Sequence, residues 1–181
     1  MSDKINYEQL KKTDFFNFFN LSEIDRKIEN DFLLISLKPG GFQEFIDIQL
    51  KLYKNDIIEA KLSLDRSWIG DSNSINPFAK DIAKSFIGAL FPDKINEEFK
   101  ISIVQAIWNT KGNKDLVICL DKAIKNWESS DPDIERYLKT FRGEIIRHEC
   151  RFGVFFISFE NKINIENQKN LLEIILNWSK P

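Results

Sequence analysis

The sequence predicts an α+β fold, a single domain over residues 1–181. Its sheet is an antiparallel β-meander of three strands plus one later buried strand, and helices pack on it. Three observations predict this. Apolar and polar residues alternate with a period of two between positions 46 and 64, the pattern of strands with one wet face. Beyond Asn76-Pro77 the period changes to roughly four, the pattern of an amphipathic helix. No Gly/Ser-rich or Pro-rich linker and no internal repeat interrupts the chain.

The elements follow in order. Thr13 can cap a short turn that carries Phe15, Phe16, Phe18 and Phe19, and Ser22 with Asp25 forms a capping-box variant that predicts a helix over 23–29. FLLISL at 32–37 is a strand, stopped by Lys38-Pro39-Gly40-Gly41, whose Pro and Gly suit a chain reversal. In the next strand Ile46, Ile48, Leu50 and Leu52 face inward and Asp47, Gln49, Lys51 and Tyr53 outward. After Lys54-Asn55-Asp56 the pattern repeats, with Ile58, Ala60, Leu62 and Leu64 inward.

Asn76 as N-cap and Pro77 at the first helical position open a helix over 77–90, with Phe78, Ile82, Phe86 and Leu90 along its buried stripe. Phe91-Pro92-Asp93 ends it. ISIVQAIW at 101–108 suits a helix or a buried strand, and a helix is expected. Leu116, Leu120, Ala123, Ile124 and Trp127 have helical spacing, and Asp131-Pro132 opens a further helix through Ile134, Tyr137, Leu138 and Phe141. RFGVFFISF at 151–159 is β-branched and aromatic on both faces, as in a covered strand. Asn164, with Leu171, Leu172, Ile175 and Trp178, predicts a terminal amphipathic helix. This order of elements loosely resembles the secretion-chaperone type of fold, in which small acidic proteins use a helix-packed antiparallel sheet to dimerise and hold a client. The long helical middle over 77–141 departs from it.

Composition narrows the function. With 26 basic and 28 acidic residues the formal charge is -2, so no global field steers the chain onto nucleic acid or an anionic membrane, and neither is an expected partner. The start, MSDKINYEQLKK, lacks the apolar core of an export signal, and no apolar run reaches the ~18 residues of a membrane span. Cys119 and Cys150 lie far apart and fit isolated thiols in a reducing compartment, so a cytoplasmic location is expected.

Gly70-Asp71-Ser72-Asn73 resembles the GDS block of the SGNH-type lipases and esterases, where the serine is the nucleophile. That family supplies its base from an Asp-x-x-His; here the one histidine, His148, has Ile145 three residues before it. The block therefore reads as a turn. Arg147-His148-Glu149-Cys150 puts a base and a thiol on one face of a strand, but no orienting group or oxyanion hole accompanies them. No metal is expected, because one His and two distant Cys make no zinc set without carboxylates. No phosphate-binding glycine pattern occurs, and no cofactor is expected. The cations Arg136, Lys139, Arg142, Arg147 and Arg151 lie among Glu135, Glu144 and Glu149, as on a solvated mixed-charge face.

The sequence thus predicts a non-enzymatic protein-interaction domain of adaptor, chaperone-like or immunity type. It would bind a protein partner, or self-associate as a homodimer, through Phe15, Phe16, Phe18, Phe19 and Trp68. The alternative is a small-molecule-binding protein or enzyme with a pocket between sheet and helices lined by His148, Cys150 and Arg151.

Overall fold

The computed structural model describes residues 4–72, 74–110 and 131–178. Two short helices, α1 (Tyr7–Leu10) and α2 (Asp14–Phe18), precede strands β1 (Ser22–Glu29), β2 (Phe32–Lys38), β3 (Ile46–Tyr53) and β4 (Asp56–Asp65). A turn of helix, α3 (Arg66–Ile69), and a miniature hairpin of β5 (Gly70–Asp71) and β6 (Ser74–Ile75) lead to α4 (Pro77–Leu90) and α5 (Asp93–Asn109). After α6 (Pro132–Phe141) the chain ends in β7 (Arg147–Phe152), β8 (Phe155–Asn164) and β9 (Lys169–Trp178). Among the described residues the main sheet has seven strands in the order β1-β2-β3-β4-β9-β8-β7, and all neighbours are antiparallel. Two meanders thus meet at the β4–β9 seam, where Leu62 lies opposite Ile174.

The central meander follows from its alternation. Ile46, Ile48, Leu50 and Leu52 are buried while Asp47, Gln49 and Tyr53 are exposed. In β4 an irregularity opposite Lys51 and Leu52 shifts the register, so Ile57 rather than the expected Ile58 joins Ala60, Leu62 and Leu64 inside.

The sheet is larger than the expected three strands plus one. Residues 23–29 form β1, not a helix, because Asn30, at φ +54°, turns the chain so that Arg26 pairs with Ile35 and Ile28 with Leu33. That long-range ladder overrides a weak local cap. The stretch 151–159 is a hairpin instead of one strand. Gly153, at φ +62°, takes the first position of a two-residue turn, where positive φ suits the strand twist. The expected terminal helix is β9. Leu172, Ile174 and Leu176 also have a period of two, and hydrogen bonding to β4 on one side and β8 on the other selects it.

The helices conform more closely. Asn76 Oδ1 accepts from Phe78 N at 3.0 Å, with Pro77 at the first position, and α4 buries Ile82, Phe86 and Leu90. Residues 101–108 are helical within α5, whose regular part restarts where Asn96 Oδ1 accepts from Phe99 N at 2.9 Å. Asp131 Oδ1 accepts from Asp133 N at 2.9 Å and opens α6. The expected helix around 116–127 lies outside the described residues.

One hydrophobic cluster runs from Tyr7 to Leu176 between the sheet and the helices. The other sheet face is polar and laced with ion pairs, such as Lys162 Nζ to Glu173 Oε2 at 2.8 Å. Among the described residues no helix is long and apolar enough to cross a membrane.

Candidate functional site

The expected aromatic segment divides. Thr13 Oγ1 accepts from Phe16 N at 3.3 Å and starts α2. Successive helical residues turn by ~100°, so the arc that holds Phe15, Phe19 and Phe16 leaves Phe18 out. Phe15 is 3% exposed and meets the Phe86 ring edge-on at 5.9 Å, which makes it core rather than contact surface. Phe16 and Phe19 pack half-buried against the core, and Phe18 is 77% exposed. Phe18, Asp81, Lys84 and Ser85 line a shallow depression of about 600 Å³. Lys84 Nζ in turn lies 3.7 Å from the centre of the Trp108 ring.

At the N-terminal end of α4 a second aromatic group forms. Asp65 Oδ1 accepts from Ser67 N at 2.9 Å and caps α3, which delivers Trp68 to the surface of the β2–β3 loop. There Trp68 stacks on Phe45 at 5.8 Å with only 4° between the planes. Phe42 bridges Trp68 and Phe78, with ring centroids at 5.4 and 5.3 Å. Phe42 and Phe78 are 46% and 55% exposed. Phe42 has φ +58°, a left-handed conformation that a bulky side chain seldom adopts. Neither residue stands out in the sequence as part of a surface. Phe78 shares the four-residue spacing of Ile82, Phe86 and Leu90, but it lies in the first helical turn and is exposed while the other three are buried. The signal for Phe42 was an aromatic residue directly after Gly40-Gly41, in a turn that favours small residues.

The Gly70-Asp71-Ser72 turn is structural. Gly70 has φ +90°, and a Cβ there would sit 2.1 Å from the Ser74 carbonyl oxygen. Asp71 Oδ1 accepts from Ser74 N at 3.2 Å and closes the hairpin.

On the far edge of the sheet, β7 turns His148 and Cys150 toward α6, opposite the buried Phe159 and Ile157. Arg151 does not join them. It lies on the other sheet face, where it pairs with Glu149 at 2.9 Å and covers the Phe156 ring. The missing carboxylate comes from α6: Asp133 Oδ1 lies 3.0 Å from His148 Nε2, and Cys150 Sγ lies 3.5 Å from the same nitrogen. Tyr137 meets the imidazole edge-on at 4.7 Å and donates its hydroxyl to the Ile157 carbonyl at 2.7 Å. The helix start at Asp131-Pro132 is legible in the sequence, but its approach to a strand fifteen residues later is not.

The arrangement differs from that of a nucleophilic triad. Burial raises the Cys150 thiol from its ordinary 9.0 to about 11, which leaves almost no thiolate at neutral pH. Burial also outweighs the Asp133 carboxylate and lowers His148, which favours the neutral ring. In a triad the orienting acid and the nucleophile engage opposite ring nitrogens, whereas here both meet Nε2. The neighbouring charges are paired locally: Lys139 with Glu135 at 2.7 Å, Arg142 with Glu144 at 2.8 Å, and Arg147 with Glu149 at 2.7 Å.

Compared with known proteins, the chain matches no family model, no curated protein and no solved structure.

Proposed function

We propose that the chain is a non-catalytic protein-binding domain, of adaptor, chaperone-like or immunity type. It receives an apolar segment of a partner protein on the aromatic surface of Phe42, Trp68 and Phe78, which Phe18 and Trp108 extend along α4. The single observation that carries this reading is Phe42, a half-exposed ring on a left-handed backbone, held between two other aromatic rings. Such a conformation costs on the order of 1–3 kcal/mol. Contacts with Trp68 and Phe78 offset part of that cost in the free fold, and covering the ring surface still in water with a partner would offset the rest. Rings already fixed by mutual contact also lose little freedom on binding, as interface anchors do. The isolated cysteines of the sequence lead us to place the interaction in the cytoplasm.

The experiment is quantitative capture from a lysate of the native host, with wild type, Phe78→Ser and Phe18→Ser compared side by side, and light scattering on each purified chain. The reading expects a monomer and a stoichiometric partner protein depleted in the variants. Equal recovery of every captured protein by all three chains would overturn it. A dimer that dissociates on Phe78→Ser would assign the surface to a second copy instead.

A further inference from the structure

A site of different chemistry lies on the opposite edge of the sheet. Asp133 Oδ1, His148 Nε2 and Cys150 Sγ converge, all within 4.8 Å of one another. The three residue types are those that hold zinc and similar divalent ions of intermediate softness: carboxylate, imidazole and thiolate.

The three groups also fit one another without an ion: Nε2–H can donate to Asp133, and the Cys150 thiol lies within reach of Asp133 and Tyr137. What points to a cation is the convergence of three ligand types on one spot.

The spacing agrees. At zinc bond lengths and tetrahedral angles, donor atoms stand roughly 3.4–3.6 Å apart. The observed 3.5 Å between sulfur and nitrogen falls in that range, and the 3.0 Å between nitrogen and oxygen is slightly short of it. The adjustment falls on Asp133, whose side chain is the exposed member at 54%, while His148 is held at 9% against Tyr137. The backbone already aims the donors: residues 148 and 150 share a face of β7, and the cap at Asp131 fixes the first turn of α6 above them.

We propose that Asp133, His148 and Cys150 form a binding site for a divalent transition-metal ion of the zinc class. The ion fastens the start of α6 to the edge strand β7. Three protein donors, the set found among the described residues, leave one tetrahedral position for water.

The test is a titration of the Cys119→Ser chain with cobalt(II), so that Cys150 is the one thiol present. The expected result is a thiolate-to-cobalt charge-transfer band that saturates at one ion per chain, carries the strong visible bands of tetrahedral cobalt, and disappears when zinc is added. Asp133→Asn and His148→Asn should each weaken binding by more than the roughly ten- to hundredfold typical of losing a group behind the ligands. Cys150→Ser, close in shape, should abolish the charge-transfer band. Circular dichroism of each metal-free variant separates lost ligation from lost folding. The proposal is overturned if no charge-transfer band develops at saturating cobalt. It is also overturned if folded Asp133→Asn and His148→Asn chains bind as tightly as their parent, since the ion would then sit on the thiolate alone.

Discussion

Arg66 Nη2 donates to Asn161 Oδ1 at 2.6 Å, and the same guanidinium donates to the Phe141 carbonyl at 2.7 Å through Nη1. Asn161 in turn donates through Nδ2 to the carbonyls of Thr140 and Ile145, at 2.8 and 2.9 Å. Together they close the C-terminal end of α6, where the helix dipole favours a cation, and bind it to β8. Burial lowers Arg66 from its ordinary 12.5 to about 10, so the group remains charged at neutral pH.

Removing Asn161 takes the side-chain donor from the Ile145 carbonyl and one of several donors from the Thr140 carbonyl, which keeps Gly143 N, and it takes from the half-buried Arg66 its shortest hydrogen bond. Asn161→Leu should therefore lower the unfolding free energy by about 2–4 kcal/mol, more than a surface substitution does. Urea denaturation measures this, and a loss below about 0.5 kcal/mol would show that water replaces the network.

His148 makes stability depend on pH in a defined window. Its folded-state affinity for protons is lowered, so above its ordinary value of 6.5 both folded and unfolded chains hold it neutral. As pH falls below 6.5 the unfolded chain takes up the proton first, and stability declines until the folded chain is protonated too. Asp133, Arg136, Tyr137 and Cys150 act on or contact the ring. In the presence of a chelator, so that no metal competes for the ring, wild type should lose melting temperature between pH 7 and pH 5 more steeply than His148→Gln. Equal slopes would remove His148 as the source.

Phe15 and Phe18 are three residues apart and should behave as opposites. Phe15→Ala deletes a ring from the core against Phe86 and should cost about 3–5 kcal/mol. Phe18→Ala removes an exposed ring and should stay within about 0.5 kcal/mol of wild type. Chemical denaturation of both chains checks the burial assigned to α2. A comparable large loss in both would place Phe18 in the core.

What could be read from the sequence was local. The alternation of 46–53, the Asn76-Pro77 start of α4 and the Asp131-Pro132 start of α6 depend on neighbours a few residues away, and each is found where expected; in β4 the bulge moves Ile57 inside in place of Ile58. The outer strands were not legible. Residues 23–29 and 171–178 carry spacings compatible with either period, and pairing with β2, or with β4 and β8, decided between them. The same limit applies to the sites. His148 and Cys150 were recognised as sharing a face, but Asp133 reaches them only through the packing of α6 on β7. Trp68 was expected at the surface, yet its partners Phe42 and Phe78 come from a loop 26 residues before it and a helix ten residues after it.

The most direct test of the central claim is Phe42→Asn, measured by melting temperature and by recovery of the partner in the same preparation. Asparagine accepts the left-handed backbone more readily than phenylalanine, so the change removes the ring without requiring a new turn. The account predicts a melting temperature equal to or above that of wild type together with loss of the partner protein. A chain that melts as wild type does and still retains its partner in full would contradict it, as would a chain that unfolds, since Phe42 would then be part of the core.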